Sequence, residues 1–397
     1  MTQRVKHILA CVLVSTLWAC VSQDSASLVV RQDSAGAQIV ASSAPSWSSN
    51  EGWSIDPQPF LDLTTSGTGE VHEFFRVTDA TRLADGTIVV ANRGSAEIRA
   101  YTPQGDLAWR VGREGGGPGE FRYLSQVARF RADSLVAFDY SLGRTTVLSQ
   151  AGTIGRLLPP FSLDVRSREL LVLNNDTFAV VLSATRSAVV DRGGLHRPLA
   201  SVVRVASRTG ELIDTVGSYP AVESFLAAGA AILPLYYRSG HVTVRDGHLL
   251  VGTADSMEYR IYTGAGELTE IVRVPGYDLA LSAEEVAAER AARLPSDRPV
   301  PPEYREAVAS LPSPQTRPAY QEFLVDELGH VWAASYHGLL EADTSVEWQV
   351  FAATGEWLGG VIVPARFTVF EIGADYVLGQ RRDSLDVERV QLLKLHR

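Results

Sequence analysis

Polar turns followed by short apolar runs alternate along most of the chain, and one such unit recurs six times. It reads Ala84-Asp85-Gly86-Thr87-Ile88-Val89-Val90, then Ala132-Asp133-Ser134-Leu135-Val136-Ala137 and Asn175-Asp176-Thr177-Phe178-Ala179-Val180. It returns as Asp246-Gly247-His248-Leu249-Leu250-Val251, Leu328-Gly329-His330-Val331-Trp332-Ala333 and Ala374-Asp375-Tyr376-Val377-Leu378. A short apolar run entered through Asp, Asn or Gly reads as a strand that follows a tight turn. After each of the first five copies come two further strand-like segments, joined at Gly105, Gly152, Gly210, Gly266 and Gly355. Glycine there supplies the positive φ of a hairpin turn. The two units together predict four antiparallel strands per repeat, A to D, with the first turn joining A to B and the glycine turn joining C to D.

Four-stranded sheets repeated around an axis make a β-propeller. The sixth repeat stops after its C strand, residues 390–395, while residues 59–63 form an apolar segment outside the repeats. The expected fold is therefore all-β: a six-bladed propeller of four-stranded antiparallel blades over residues 55–397. The N-terminal strand completes the last blade. The third repeat is the least regular, which leaves seven blades as the other possible count. The A–B and C–D turns are all short. The long connections, 112–123, 184–199, 217–235 and 277–318, are all of the B–C or D–A kind and fall on the opposite face. Long loops on a rigid scaffold carry function, so that face is expected to be the functional one. The insertion at 277–318 is predicted to be helical and Pro-rich. Ser282 and Glu285 form a capping box, Val286–Arg293 favours helix and Pro295 stops it. Pro301, Pro302, Pro312, Pro314 and Pro318 stiffen the rest of the insertion.

Composition changes the picture at two points. Hydrophobic residues are 45% and charged residues 21%, with a formal charge of −10, so the chain is globular and lacks the basic stripe a nucleic-acid partner requires. The first 19 residues carry Arg4 and Lys6 before a short apolar run ending Leu17-Trp18-Ala19-Cys20. That run is too short to span a bilayer and reads as a secretory leader. Its end resembles the bacterial lipobox, which implies cleavage after residue 19 and lipid on Cys20. The two cysteines, Cys11 and Cys20, both lie in this region, so no internal disulfide is expected after cleavage. Val21 follows Cys20, which favours the outer membrane over retention at the inner one. Residues 20–54, rich in Ser, Ala, Gln and Asp, read as a tether.

With its six turn-strand units, five glycine turns, the run Gly115-Gly116-Gly117-Pro118-Gly119-Glu120-Phe121 and the lipobox, the chain resembles the six-bladed propeller lipoproteins of bacteria, a group related to NHL-repeat and TolB-like propellers. The resemblance covers residues 55–397 and implies a binding domain in the periplasm or at the cell surface. Aromatic residues and arginines open the A strands: Phe74, Phe75 and Arg76; Phe121, Arg122 and Tyr123; Tyr236, Tyr237 and Arg238; Tyr320 and Phe323; Arg366 and Phe367. From these, Arg76, Arg122, Tyr123, Tyr236, Arg238 and Tyr320 are the candidate ligand-binding residues. Aromatic faces beside guanidinium forks suit sugars, peptides or anionic groups.

Motifs for catalysis are scarce. The Gly115–Gly119 run lacks the Lys-Ser/Thr and the helix of a phosphate loop, His72-Glu73 lacks the second His of a zinc helix, and no Gly-x-Ser-x-Gly elbow occurs. The favoured function is thus a lipid-anchored, non-enzymatic binding or scaffold propeller outside the cytoplasm. It needs no cofactor and takes a protein, peptide or glycan on the long-loop face. The alternative is a metal-dependent hydrolase or lyase of the lactonase or strictosidine-synthase-like kind, with calcium held in the central channel. Glu73, Glu120 and Glu322, near the A-strand starts, are the carboxylates that reading would use.

Overall fold

The computed structural model describes residues 28–397 apart from 49–50, 159–166, 183–192, 228–229, 296, 298 and 342. Residues 1–27, with the expected leader and Cys20, lie outside the described residues. The described residues open with a hairpin, β1 (Val29–Ser34) and β2 (Ala37–Ser42), followed by β3 (Ser54–Asp62). Six sheets then follow in order. The first is β4 (Val77–Arg82), β5 (Ile88–Asn92), β6 (Glu97–Tyr101) and β7 (Leu107–Val111). The second is β8 (Leu124–Arg129), β9 (Ser134–Asp139), β10 (Arg144–Ser149) and β11 (Ile154–Leu158). The third is β12 (Ser167–Val172), β13 (Thr177–Leu182), β15 (Leu199–Ala206) and β16 (Leu212–Pro220). Three short strands, β14 (Gly194–His196), β17 (Ser224–Ala227) and β18 (Ala230–Ile232), pair with each other outside it. The fourth sheet holds β19 (His241–Arg245), β20 (His248–Gly252), β21 (Glu258–Tyr262) and β22 (Leu268–Arg273). After helices α1 (Ala283–Ala292) and α2 (Pro302–Ser310), the fifth holds β23 (Glu322–Val325), β24 (Val331–Ala334), β25 (Val346–Phe351) and β26 (Trp357–Val363). The sixth holds β27 (Phe367–Ile372), β28 (Tyr376–Arg382) and β29 (Glu388–His396), and its fourth strand is β3.

Each of the six expected A–B turns joins the first and second strands of its sheet, and each of the five glycines joins the third and fourth. Those glycines all have positive φ, from 75° at Gly210 to 94° at Gly105. The turn acids act as local caps: Asp85 Oδ1 accepts from Thr87 N at 2.9 Å, and Asp326 Oδ1 from Leu328 N and His330 N at 2.9 and 2.8 Å. Second strands such as β5 and β24 are buried at every residue, since both of their faces meet neighbouring sheets.

The sheets stand side by side. First strands touch in the order β4, β8, β12, β19, β23, β27, and β27 returns to β4. An apolar cluster fills each space between neighbours: Ile98, Phe121 and Leu124 between the first and second sheets; Phe130, Phe138 and Phe178 next; then Tyr219 and Leu249. Tyr259, Phe323 and Phe351 follow, then Trp332, Trp348 and Phe367, and Leu378 with Ile88 and Val90 completes the cycle. Each large side chain so buried stabilises the fold by roughly 2–3 kcal/mol. The arrangement is a β-propeller. At its seam β3 runs antiparallel to β29, Ser54 opposite His396 and Asp62 opposite Gln391.

Two sequence expectations need correction. Residues 29–42, inside the stretch read as a tether, form the β1–β2 hairpin. It turns on Ala35 and Gly36, both at positive φ (51° and 88°), and β2 adds in parallel to the outer edge of β22, Gln38 opposite Glu270 and Ala41 opposite Arg273. Burial of Ala37, Ile39, Val40 and Ser42 holds it there. The second correction concerns residues 302–310. They are helical, because Pro302 stands in the first turn, where proline's missing N–H and fixed φ suit a helix start.

Candidate functional site

The long connections gather over the fourth to sixth sheets. Ser282 caps α1 as expected, its Oγ accepting from Glu285 N while Glu285 Oε2 accepts from Ser282 N. Helix α1 turns Val286 and Glu289 inward and α2 turns Ala307 and Val308 inward. Val286 and Val308 join Leu235, Tyr236, Leu311 and Tyr336 in a small core of their own. Polar ties fix its position. Arg290 Nη1 donates to Val308 O (2.7 Å), Arg293 to Leu233 O and Pro234 O, and Leu339 N donates to the buried Glu289 Oε2 (3.0 Å).

Between this insertion and the openings of β23 and β27 lies a cleft of about 850 Å³. Tyr237, Tyr304, Tyr336 and Phe367 form its aromatic wall, and Arg293, Arg366, Arg382, Glu289, Asp343 and Asp386 also line it; Arg293 pairs with Glu289, Arg366 with Asp343 and Arg382 with Glu388. Tyr336 is packed by Tyr236 at 5.6 Å and edge-on by Tyr237 at 6.1 Å. Burial pushes the Tyr336 phenol well above its ordinary value. Gln321 Oε1 accepts from His337 N at 3.1 Å, fixing the loop that carries the imidazole. Arg366, itself at φ 58°, donates to Asp343 Oδ1 at 2.5 Å and to Asp383 O at 2.8 Å, and its hydrogen bond holds the Asp343 carboxyl below its ordinary range. A second depression of about 650 Å³ shares Asp343, Arg366 and Arg382 and continues to Arg381 and Arg389. Tyr336 and Phe367 are buried behind the wall, whereas Tyr237 and Tyr304 are half-buried; a partly exposed ring beside guanidinium groups can hold a flat or ring-shaped ligand that carries polar or acidic groups.

The structure places the sequence candidates in several regions. Tyr236 backs the cleft but is buried, as is Tyr320, which packs with Tyr259 and Phe323 in the core. Tyr320 Oη donates to Glu258 O and accepts from Ala254 N. Tyr320 is therefore a packing residue, and so is Tyr236. Arg238 is occupied by Thr316 Oγ1 (2.7 Å) and Asp255 (3.3 Å). Exposed Arg76 lies over Phe75, and Tyr123 stacks with Tyr140 and Arg93 near the first and second sheets, where Arg122 is also exposed. None of these lines the cleft. Tyr237, Arg366 and Phe367, also singled out as strand-opening residues, do line it. Tyr304, Tyr336 and His337 escape a reading based on strand openings; they lie on α2 and on the β24–β25 connection, away from the A-strand starts.

The three acids do not assemble. Glu73 is exposed after a single 3-10 turn, its carbonyl accepting from Arg99. Glu120 closes the glycine run, with Arg113 on Oε1 (2.8 Å) and Gly117 N on Oε2 (2.7 Å), and these hydrogen bonds hold its carboxyl low. Glu322 opens β23, and burial pushes its carboxyl up to about 7. Among the described residues no group of three or more His, Cys, Asp or Glu is placed to hold a metal ion. Along the inner strands, Asp79 bonds across to the next sheet, its Oδ2 accepting from Val127 N (3.0 Å), as Gln126 Oε1 does from Leu170 N (2.9 Å). Burial, with Glu371 and Glu169 nearby, pushes Asp79 up to about 8.

No family model matches the chain, and no curated protein matches it. Among solved structures it is similar to a member of the DUF4221 family from Bacteroides vulgatus: TM-score 0.55, 11% identity, 87% of this chain and 98% of that one. It is also similar to a protein from Bacteroides fragilis provisionally labelled as exported: TM-score 0.51, 12% identity, 90% of this chain and 99% of that one. BamB from Moraxella catarrhalis matches at TM-score 0.34 and 12% identity over 80% of this chain and 85% of its own, which is too loose to bear on function. The likeness is one of fold. Among the described residues no helix is long and apolar enough to cross a membrane.

Proposed function

We propose that the chain is a six-bladed propeller held outside the cytoplasm by lipid on Cys20, at the outer membrane, and that it acts by binding rather than by catalysis. The six-membered cycle of first-strand contacts supports the blade count. The observation that carries the function is the aromatic and arginine-lined cleft, built from the long connections on one face of a rigid ring. Its occupant is a peptide, protein segment or glycan bearing an acidic group, with Tyr237 and Tyr304 as stacking surfaces and Arg366 and Arg382 as anion contacts. The scattered placement of Glu73, Glu120 and Glu322 favours no metal-dependent reaction.

The test is calorimetric titration of the chain without its leader against acidic and neutral oligosaccharides and peptides. A stacked ring or a charge-assisted hydrogen bond contributes about 1.4–2 kcal/mol. Tyr237→Ala and Arg366→Ala should therefore each weaken binding about tenfold or more. Ligands that bind both variants as tightly as the parent, or none across the panel, would sink the proposal. Turnover of a bound ligand would move the chain to the enzymes.

A further inference from the structure

We infer that the ligand of the cleft is an acidic oligosaccharide with at least two carboxylates, and that Arg381 takes the second of them; the inference rests on the cleft as the binding site. A row of residues across the sixth sheet carries it. Phe367 on β27 stands opposite Arg381 on β28, and Arg381 stands opposite Arg389 on β29. Neighbouring strands lie about 4.8 Å apart, so the row leads from the cleft into the second depression and towards β3. Arg366 and Arg382 line the same depression. Three of these four arginines have partners. Arg366 has Asp343, Arg382 has Glu388 (3.1 Å), and Arg389 has Asp383 (3.4 Å) and Asp62 (3.8 Å). Arg381 is half-buried and makes no hydrogen bond, ion pair or ring contact with any of the described residues.

Like charges directly opposite each other on an antiparallel pair are destabilising. Here such a pair stands beside two further guanidinium groups, in a chain whose formal charge is −10. The carboxylates that line the depression are engaged elsewhere. Asp343 holds Arg366, Asp383 accepts from Leu385 N (2.9 Å), and Asp62 accepts from Gln391 Nε2 (2.8 Å) and Thr64 N (2.9 Å). Arg381 is left as the surplus charge. An anion from outside can therefore bond its fork without first breaking an ion pair. Arg366 in the cleft and Arg381 beyond it suit a chain that bears an acid on successive units. The floor favours sugar over peptide. β28 lies between β27 and β29, and β29 between β28 and β3, so neither strand has a free edge to which an extended peptide could add main-chain hydrogen bonds. The depression offers the short polar side chains of Gln58, Ser384 and Gln391 beside its arginines, groups that suit hydroxyls and carboxylates.

The experiment titrates the full chain calorimetrically with trigalacturonate, with its neutral methyl ester and with a trisaccharide bearing one uronic acid. Trigalacturonate should bind about tenfold more tightly than the single acid, the effect of one added charge-assisted contact. Arg381→Gln should abolish that preference. Arg113→Gln, the same loss of charge at a residue that lines neither depression, should keep it. Arg381→Glu places a carboxylate opposite Arg389, so it should hold or raise the unfolding temperature while it abolishes the preference. That variant separates lost binding from lost folding. A preference that survives Arg381→Gln, or one that never appears, overturns the inference. If the single acid still binds, and binds more weakly to Tyr237→Ala, the cleft remains the binding site and the role of Arg381 alone is lost. Binding of hexaglutamate that depends on Arg381, with no oligosaccharide bound, overturns the sugar and gives the site to an acidic peptide.

Discussion

Arg397 offers the sharpest test of how the seam is held. Its Nη2 reaches Asp326 Oδ2 at 2.7 Å and also donates to Gly373 O, while Nε donates to Ala374 O. Its guanidinium lies 4.1 Å from the Trp53 ring centre, so one side chain joins the fifth sheet, the sixth sheet and the segment leading into β3. The Asp326 side chain is 0% exposed and that of Arg397 16%. Burial alone would raise the Asp326 carboxyl, but hydrogen bonds from His330, Trp332 and Arg397 outweigh it and hold the carboxyl below its ordinary range. Removing one partner of a buried ion pair costs about 3–5 kcal/mol. Asp326 would keep its bonds from Leu328 N, His330 N and Trp332 Nε1, which lowers the loss to about 2–3 kcal/mol, and the lost stacking adds about 0.5–1 kcal/mol. Arg397→Ala should therefore lower stability by about 3 kcal/mol. In urea that is a midpoint shift near 1 M for a chain with a slope of about 3 kcal/mol/M, read by the fluorescence of Trp53 and Trp332. A folded-state pKa below the unfolded one stabilises only above the unfolded value, so the gap between parent and variant should close as the pH falls below about 4. Asp326→Asn combined with Arg397→Ala should cost less than the two single losses added. A midpoint shift under about 0.2 M at pH 7 would refute the reasoning.

Two further outcomes rest on single residues. Asp79 has its folded pKa raised, so the folded state binds a proton that the unfolded state has released. Stability should fall from about pH 4 towards pH 8, by at most about 1.4 kcal/mol per pH unit from this group, and Asp79→Asn should flatten that slope in urea titrations at stepped pH. Gly36 and Gly355 share a positive φ, but an added Cβ meets nothing within 4 Å at Gly36, whereas at Gly355 it lies 2.8 Å from Glu270 Oε1 and 2.9 Å from Val272 Cγ2. Gly36→Ala should therefore cost about 1 kcal/mol of backbone strain, and Gly355→Ala clearly more, in thermal unfolding.

The turns are legible in the sequence because each is local: an Asp, Asn or Gly in a tight turn needs only its immediate neighbours to show its conformation. The seam strand is legible by counting, since the sixth repeat lacks a fourth strand and β3 supplies one. The β1–β2 hairpin is hidden because its strands are short and sit in a Ser/Ala/Gln-rich stretch. The apolar pair Ile39-Val40 after Ala35-Gly36 is the available signal, but what makes it a strand is the distant edge of β22. The second helix reads as stiff loop when its prolines are counted without regard to position. The cleft is half legible. The face that carries the cleft, with Tyr237, Arg366 and Phe367, can be read from repeat register, but Tyr320 and Tyr236 look the same as Tyr237 in sequence, and only packing separates them.

The pairing of β3 with β29 also orders events in time. Ser54 must find His396 and Ile55 must find Leu395, so the ring cannot close until nearly all of the chain has been made. During synthesis β3 emerges before every sheet, and β2 long before β22, and both wait with unpaired edges. Contacts this distant in sequence close slowly. A nascent chain halted before residue 388 would present an open arc with a bare edge on β28 and an orphan strand at its other end. The step that finishes the ring is thus also the one that removes its most association-prone surface, and the speed of that step sets how long the immature protein needs shielding.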